Sequence, residues 1–188
     1  SFLNIHSADS TNYLQKIAVE QSRLGIPLIF GFDSIHGYRT IFPIPLAESC
    51  SWDTTAVRIA EAVSARETRA SGIHWAFAPM VDISREPRWG RIAEGSGEDP
   101  FLGSAMAKAR VMGFQGGDIS LPTSVLACLK HYVGYGGAES GREYNRVDMS
   151  VKTLYETYLP PFKAGVDAGA MSVMSAFNSL SGVPASAN

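Results

Sequence analysis

Cysteine is scarce: Cys50 and Cys128 are the only two in 188 residues, and neither has metal-ligand spacing or belongs to a disulfide framework. Both are expected to be small buried hydrophobes. Charge is thin, at 18% of residues and a net of -2 at pH 7, with no block of one sign. That excludes a basic surface for nucleic acid or anionic lipid. No apolar run approaches the ~20 residues of a membrane span, and the start, SFLNIHSADS, lacks the basic and apolar regions of a signal peptide. If a signal existed, it has been removed. No His-containing metal motif such as H-E-x-x-H occurs, no G-x-G-x-x-G follows the first apolar run, and no short repeat is present. With 45% hydrophobic residues, the chain can bury a sizeable core and reads as a folded globular protein.

One stretch organises the rest: Ile73 to Pro100, IHWAFAPMVDISREPRWGRIAEGSGEDP. An apolar run of strand length, Ile73 to Pro79, opens into a polar loop carrying Asp82, Arg85, Glu86, Arg88, Arg91, Glu94, Glu98 and Asp99 around Trp89. A loop so charged on so apolar a strand marks a site. Trp89 between Arg88 and Arg91 would set a flat apolar face beside hydrogen-bond forks, a pairing that suits a sugar ring. The competing reading is an internal salt-bridge knot pinning a long loop.

In order, Phe2 to Ile5 reads as a strand. Ser7, Asp9 or Ser10 can cap a helix from about Thr11 to Leu24, which Gly25 ends. Pro27 to Phe32 is a second strand closed by Asp33, and Asp53 can cap a helix stopped by Gly72 before the third strand. Phe101 to Phe114 has helical spacing. Val125 to Tyr132 is a fourth strand ending on Lys130 and His131. Ser150 can cap a helix that Pro160-Pro161 breaks or restarts, and Met171 to Phe177 is a fifth strand, closed by Asn178, with no further element expected before Asn188. Unbroken apolar strands separated by helices indicate a parallel sheet covered on both faces. Asp33, Asp82, Lys130, His131 and Asn178 all fall where different strands end, which favours part of a (β/α)₈ TIM-type barrel over an open doubly wound sheet. A full barrel takes roughly 250 residues, and about five βα units are present here.

The motifs GFDSIHGYRT, FAPMVDISREPRWGRIAEGSGEDP, KHYVGYG, ESGREYNRVD, LPPFKAGVDAG and VMSAFNSLSGVP, in this order from about Gly25 onward, resemble glycoside hydrolase family 3, the β-glucosidase family, and most closely its bacterial periplasmic branch. The resemblance implies that residues 1–188 are the N-terminal part of that family's barrel domain, completed by the remainder of the same polypeptide. It also implies a retaining hydrolase that releases terminal β-linked glucose or a related sugar, with water and no cofactor or metal. The nucleophile Asp and the acid/base would lie beyond Asn188, so this stretch alone would be inactive. A periplasmic or secreted location is implied by the resemblance only.

What the stretch should keep, by motif matching, is a carbohydrate-binding pocket made by Asp33, Arg39, Arg91, Lys130, His131, Arg142 and Met174. Many members of the family have Tyr where this chain has Phe177, so the hydroxyl that can steady the nucleophile is missing. The N-acetylhexosaminidase branch carries a His where this chain has Tyr135, which sets that branch aside. The rival from another class is a non-catalytic carbohydrate-binding or structural barrel module. A third reading makes Lys130 a Schiff-base lysine, as in aldolases.

Other polar and aromatic residues have plainer readings. His36 and His74 are expected to satisfy backbone groups. Trp52 and Trp75 are expected in the core, while Glu94, Glu98, Asp99 and Glu143 are expected to serve loop structure. Consecutive side chains of a regular strand point to opposite faces, so Lys130 and His131 can share a site only if the backbone leaves regular geometry there. We expect an irregularity at Lys130-His131-Tyr132; plain extended backbone with His131 packed on a helix would remove His131 from the site.

Overall fold

A computed structural model describes residues 2–188. Strand β1 (Phe2–Leu3), helix α1 (Ala8–Lys16, continued by a wider π turn over Ile17–Gln21) and β2 (Phe30–Phe32) come first. Helices α2 (Pro45–Ser49) and α3 (Thr54–Ala70) then lead to β3 (Trp75–Ala76), α4 (Pro100–Gln115) and β4 (Cys128–Tyr132). A short α5 (Val151–Thr153), a π turn over Leu154–Tyr158 and α6 (Pro160–Asp167) precede β5 (Ser172–Ser175). The expected α/β alternation is present.

The pairing is parallel and follows chain order. Phe2 lies opposite Phe30, Gly31 opposite Trp75, and Cys128 opposite Ser172. Parallel bridges Trp75–Leu126 and Met80–Lys130 tie the β3 segment to the β4 segment, so β1 to β5 form one run of neighbours. The ladders are shorter than the apolar runs, and single bonds such as Phe77 N–H to the Phe32 carbonyl extend them. Helix α4 packs between α3 and α6. The core between includes Val81, Ile83, Val111, Phe114, Val125, Leu129 and Phe162.

Helix ends follow the capping residues. Ser7 accepts from Ser10, Asp53 from Thr55 and Ala56, Asp99 from Leu102, and Ser150 from Thr153. At Gly72 φ is +83°, and a Cβ would lie 1.9 Å from the Thr11 hydroxyl, so only glycine lets α3 turn into β3 against α1.

Three expectations fail. Trp52 is 65% exposed rather than in the core, because it follows α2 at positive φ and turns outward. Cys50 is exposed and only Cys128 is buried. A hairpin, β6 (Ser179–Leu180) with β7 (Val183–Pro184), follows β5; its short strands around Ser181-Gly182 give too little alternation to be read from sequence. Trp75 is half-buried and donates from Nε1 to Ser172 Oγ at 2.8 Å.

Helices α2, α3 and α4 share a buried charge cluster. Arg110 of α4 meets Glu61 of α3 at 2.6 Å and Glu48 of α2 at 2.8 Å. One guanidinium serves two carboxylates. Burial pushes the Glu61 carboxyl up to about 7, with the Glu48 charge adding to the rise and Arg110 opposing it. A carboxyl raised in the fold contributes stability that is complete below its unfolded value and is lost as pH climbs through about 7. We therefore expect the stability of the wild type relative to Glu61→Gln to fall by up to about 3 kcal/mol between pH 4.5 and pH 8, read from urea unfolding of both as complete polypeptides rather than as residues 1–188 alone. Parallel pH profiles would show that Glu61 does not titrate in this range.

Candidate functional site

The site is built where strands end. The chain leaving β2 presents Asp33, the chain after β3 presents Asp82, and β4 delivers Lys130 and His131. Lys130 is buried and donates from Nζ to Asp33 Oδ1 at 2.7 Å, while the Asp33 side chain stays 49% exposed. His131 is buried with Asp82: its backbone N–H and its ring Nδ1 both meet Asp82 Oδ2 at 2.9 Å. The buried Lys130 cation thus faces a carboxylate from the end of β2, two strands away, and the buried His131 imidazole faces one from the loop after the adjacent β3; burial of such polar groups is costly without partners.

The expected backbone irregularity is present. The Lys130–His131 and Tyr132–Val133 peptides are cis, and the β4–β5 register shifts between Leu129 and Tyr132. Lys130 and His131 both engage strand-end carboxylates.

Arg91 lies in a 3₁₀ turn, Gly90–Glu94, and makes a two-pronged pair with Glu94 at 2.7 and 2.9 Å. Its guanidinium sits 5.7 Å from the Tyr135 ring centroid. Burial works against the Arg91 charge, but the Glu94 carboxylate outweighs it and holds the guanidinium above its usual range. Burial likewise opposes the Glu94 charge; Arg91, then Lys130 and His131, overcome it and hold that carboxyl below its ordinary value. Arg91 is thus paired with Glu94 and Lys130 with Asp33, and Glu94 also feels the charges of Lys130 and His131.

A second layer supports it. Trp89 is 1% exposed and donates from Nε1 to Glu143, while Tyr135 donates from its hydroxyl to the other Glu143 oxygen at 2.6 Å. Trp89 and Tyr135 meet edge to face at 5.2 Å. Gly136 lets this loop close on the third strand's loop, since a Cβ there would lie 2.0 Å from the Ile83 carbonyl oxygen. Trp89 is thus a buried support and not a sugar platform: its indole is consumed by Glu143 and Tyr135. The charged loop is the knot of internal pairs, Arg88 with Glu86 and Arg91 with Glu94. Glu94, Asp99 and Glu143 serve loop structure, as expected, and His36 and His74 bond backbone groups of Phe42 and Phe30.

The other expected residues stand apart. Arg39 is exposed, and its backbone N–H donates to Glu67 of α3 at 2.8 Å. Arg142 is exposed on the loop after β4, and Met174 is half-buried in β5. None of the three contacts the Asp33–Lys130 pair through a hydrogen bond or ion pair. Asp82 and Tyr135 were not among the expected binding residues; the strand-end position of Asp82 was the available signal. Apolar clefts lie elsewhere. One, of about 400 Å³, is lined by Tyr132, Tyr155, Leu159 and Phe162, and the charged cluster is the better guide to chemistry because those walls offer almost no polar group.

The sequence model of the glycosyl hydrolase family 3 N terminal domain matches residues 1–188. A periplasmic beta-glucosidase of Salmonella typhimurium is 45% identical over 188 residues, covering 100% of this chain and 25% of that protein. A lysosomal beta glucosidase of Dictyostelium discoideum is 35% identical, covering 94% of this chain and 23% of that protein. The crystal structure of a beta-glucosidase from Listeria innocua in complex with glucose superposes with a TM-score of 0.94 at 48% identity, over 97% of this chain and 26% of that one. The chain spans about a quarter of the length of these relatives.

Glu143 satisfies two buried donors at once, so its loss should be felt in stability. Glu143→Ala is expected to destabilise by about 1 to 3 kcal/mol, the cost of stranding buried donors, with Glu143→Gln milder because its amide oxygen still accepts. Urea unfolding of the full-length protein, followed by tryptophan emission, would measure this. An unchanged midpoint in the alanine variant would remove Glu143 from its supporting role.

Proposed function

The chain belongs to glycosyl hydrolase family 3, and on that premise we propose that it is the N-terminal part of that family's barrel domain in a retaining β-glucosidase-like hydrolase. The parent protein would release terminal β-linked glucose or a related sugar. Retaining hydrolysis uses two carboxyl groups about 5 to 5.5 Å apart, one a nucleophile and one an acid that then acts as base. Both are assigned to the parent chain beyond Asn188. The described residues supply the grip on the terminal sugar.

The Asp33–Lys130 pair carries this reading. One Asp33 oxygen accepts from Lys130, which orients the carboxylate, and the half-exposed group retains lone pairs for two neighbouring sugar hydroxyls. Lys130 has further N–H donors, and His131 adds a ring nitrogen beside them. Arg91 is held in position by Glu94, with N–H groups left to donate. The motif resemblance adds Arg39, Arg142 and Met174, on the loop after β2, the loop after β4 and β5, which would reach the sugar without bonding to the Asp33–Lys130 pair. Contacts to ring hydroxyls that strengthen as charge develops at the anomeric carbon would aid catalysis as well as binding. The periplasmic names of two relatives support a periplasmic location for the parent protein.

The barrel also accounts for the open face. Val173 of β5 is exposed, as are Met171 and Phe177 beside it, and an apolar cleft opens between Tyr132 of β4 and Phe162 and Val166 of α6. The remaining βα units would pack there, because an open apolar edge is a liability. Residues 1–188 expressed alone are expected to bind an apolar dye and to melt without cooperativity; a soluble, cooperatively melting monomer would count against the barrel.

The activity test uses the full-length protein on aryl β-glucosides. Turnover is expected, and Asp33→Ala should lower kcat/KM at least about 10-fold, since each charge-assisted hydrogen bond lost is worth roughly 1.5 to 3 kcal/mol. A folded wild type that turns over no aryl β-glycoside would contradict the hydrolase assignment and leave sugar binding without chemistry.

A further inference from the structure

We propose that Asp82 is a positioning residue that sets the tautomer and ring orientation of His131, so that Nε2 is the nitrogen turned over to the substrate. The proposal rests on the reading of His131 as a sugar contact.

The geometry carries it. Asp82 and His131 are both 1% exposed in their side chains. One oxygen, Oδ2, takes two bonds from a single residue: the His131 backbone N–H at 2.9 Å and ring Nδ1 at 2.9 Å. The other oxygen, Oδ1, is buried and meets no donor among the described residues. The hydrogen bonds of this carboxylate are therefore directed wholly at His131. Pinning the strand end would need only the backbone bond. The second bond goes to the ring.

An ionised carboxylate can only accept, so the nitrogen facing it must carry the proton. Nδ1–H toward Asp82 leaves Nε2 as the acceptor of the neutral imidazole, or as a donor once the ring is charged. Aromatic neighbours fix the ring plane: Tyr135 meets it edge to face at 5.1 Å, and Phe177 lies tilted at 5.2 Å. Rotation is thus blocked on two sides and the proton is assigned from a third. The side chain that defines this state follows β3, one strand away from the residue it governs. Outer partners of this kind matter for a functional imidazole because they choose which nitrogen is presented.

The test uses full-length protein with ¹⁵N-labelled histidine. In the wild type, the His131 signals should show a protonated Nδ1, and titration with glucose should move the Nε2 signal most. Asp82→Asn should redistribute the tautomers, weaken glucose binding, and lower kcat/KM on an aryl β-glucoside by about 10- to 100-fold with the melting transition retained. A wild-type His131 protonated on Nε2 with a bare Nδ1 would overturn the proposal. So would an Asp82→Asn protein with unchanged imidazole signals and unchanged kcat/KM. If that variant does not fold, the wild-type spectrum alone decides. Absence of turnover in a folded wild type would sink the hydrolase reading, and the imidazole spectrum would still test Asp82.

Discussion

A lysine and a histidine, adjacent in sequence and both buried at the end of one strand, must each find a carboxylate there or lose the free energy of their hydration. The rest of the site depends on that constraint. Lys130 finds Asp33 at the end of β2, and His131 finds Asp82 in the loop after β3. These carboxylates can reach only because β2, β3 and β4 are neighbours in chain order along one parallel run. Strand order and charge pairing are in that sense one fact: the sheet brings the acids to the bases, and the pairs fasten three strands at the end where the loops emerge.

Two further charge networks hold the surroundings. On the loop side, Glu143 ties the Trp89 indole to the Tyr135 hydroxyl, and Arg91 lies over Tyr135 while gripping Glu94. On the helix side, Arg110 binds α4 to α3 and α2 through Glu61 and Glu48. The first network shapes the wall behind His131. The second fixes the helices that cover the strands. Buried ion pairs add little net stability over apolar packing, but each makes one arrangement of its elements far better than any slipped alternative.

Much of this was legible in the residues. Apolar runs located all five parallel strands, and Asp53, Ser150 and Gly72 marked helix ends through chemistry that is local in sequence. Lys130 and His131 were legible as a conflict, since two polar neighbours on one strand cannot share a face, and the backbone departs from regular geometry at that point. What failed was non-local. Nothing near Trp89 in sequence announces that its indole will be taken by Glu143, so its flanking arginines suggested a sugar platform where there is a buried support. Trp52 turned outward because of the backbone at one turn residue. Asp82 was visible as a strand-end carboxylate, but its partner is 49 residues away, and no periodicity links the two.

The central claim is that the paired strand-end groups grip the terminal sugar. A crystal structure of the full-length protein with glucose bound tests it most directly. The account predicts ring hydroxyls within hydrogen-bonding distance of the Asp33 carboxylate, Lys130 Nζ and His131 Nε2, with Trp89 remaining buried behind Tyr135. Glucose seated elsewhere, with Asp33 still facing only Lys130 and solvent, would contradict it.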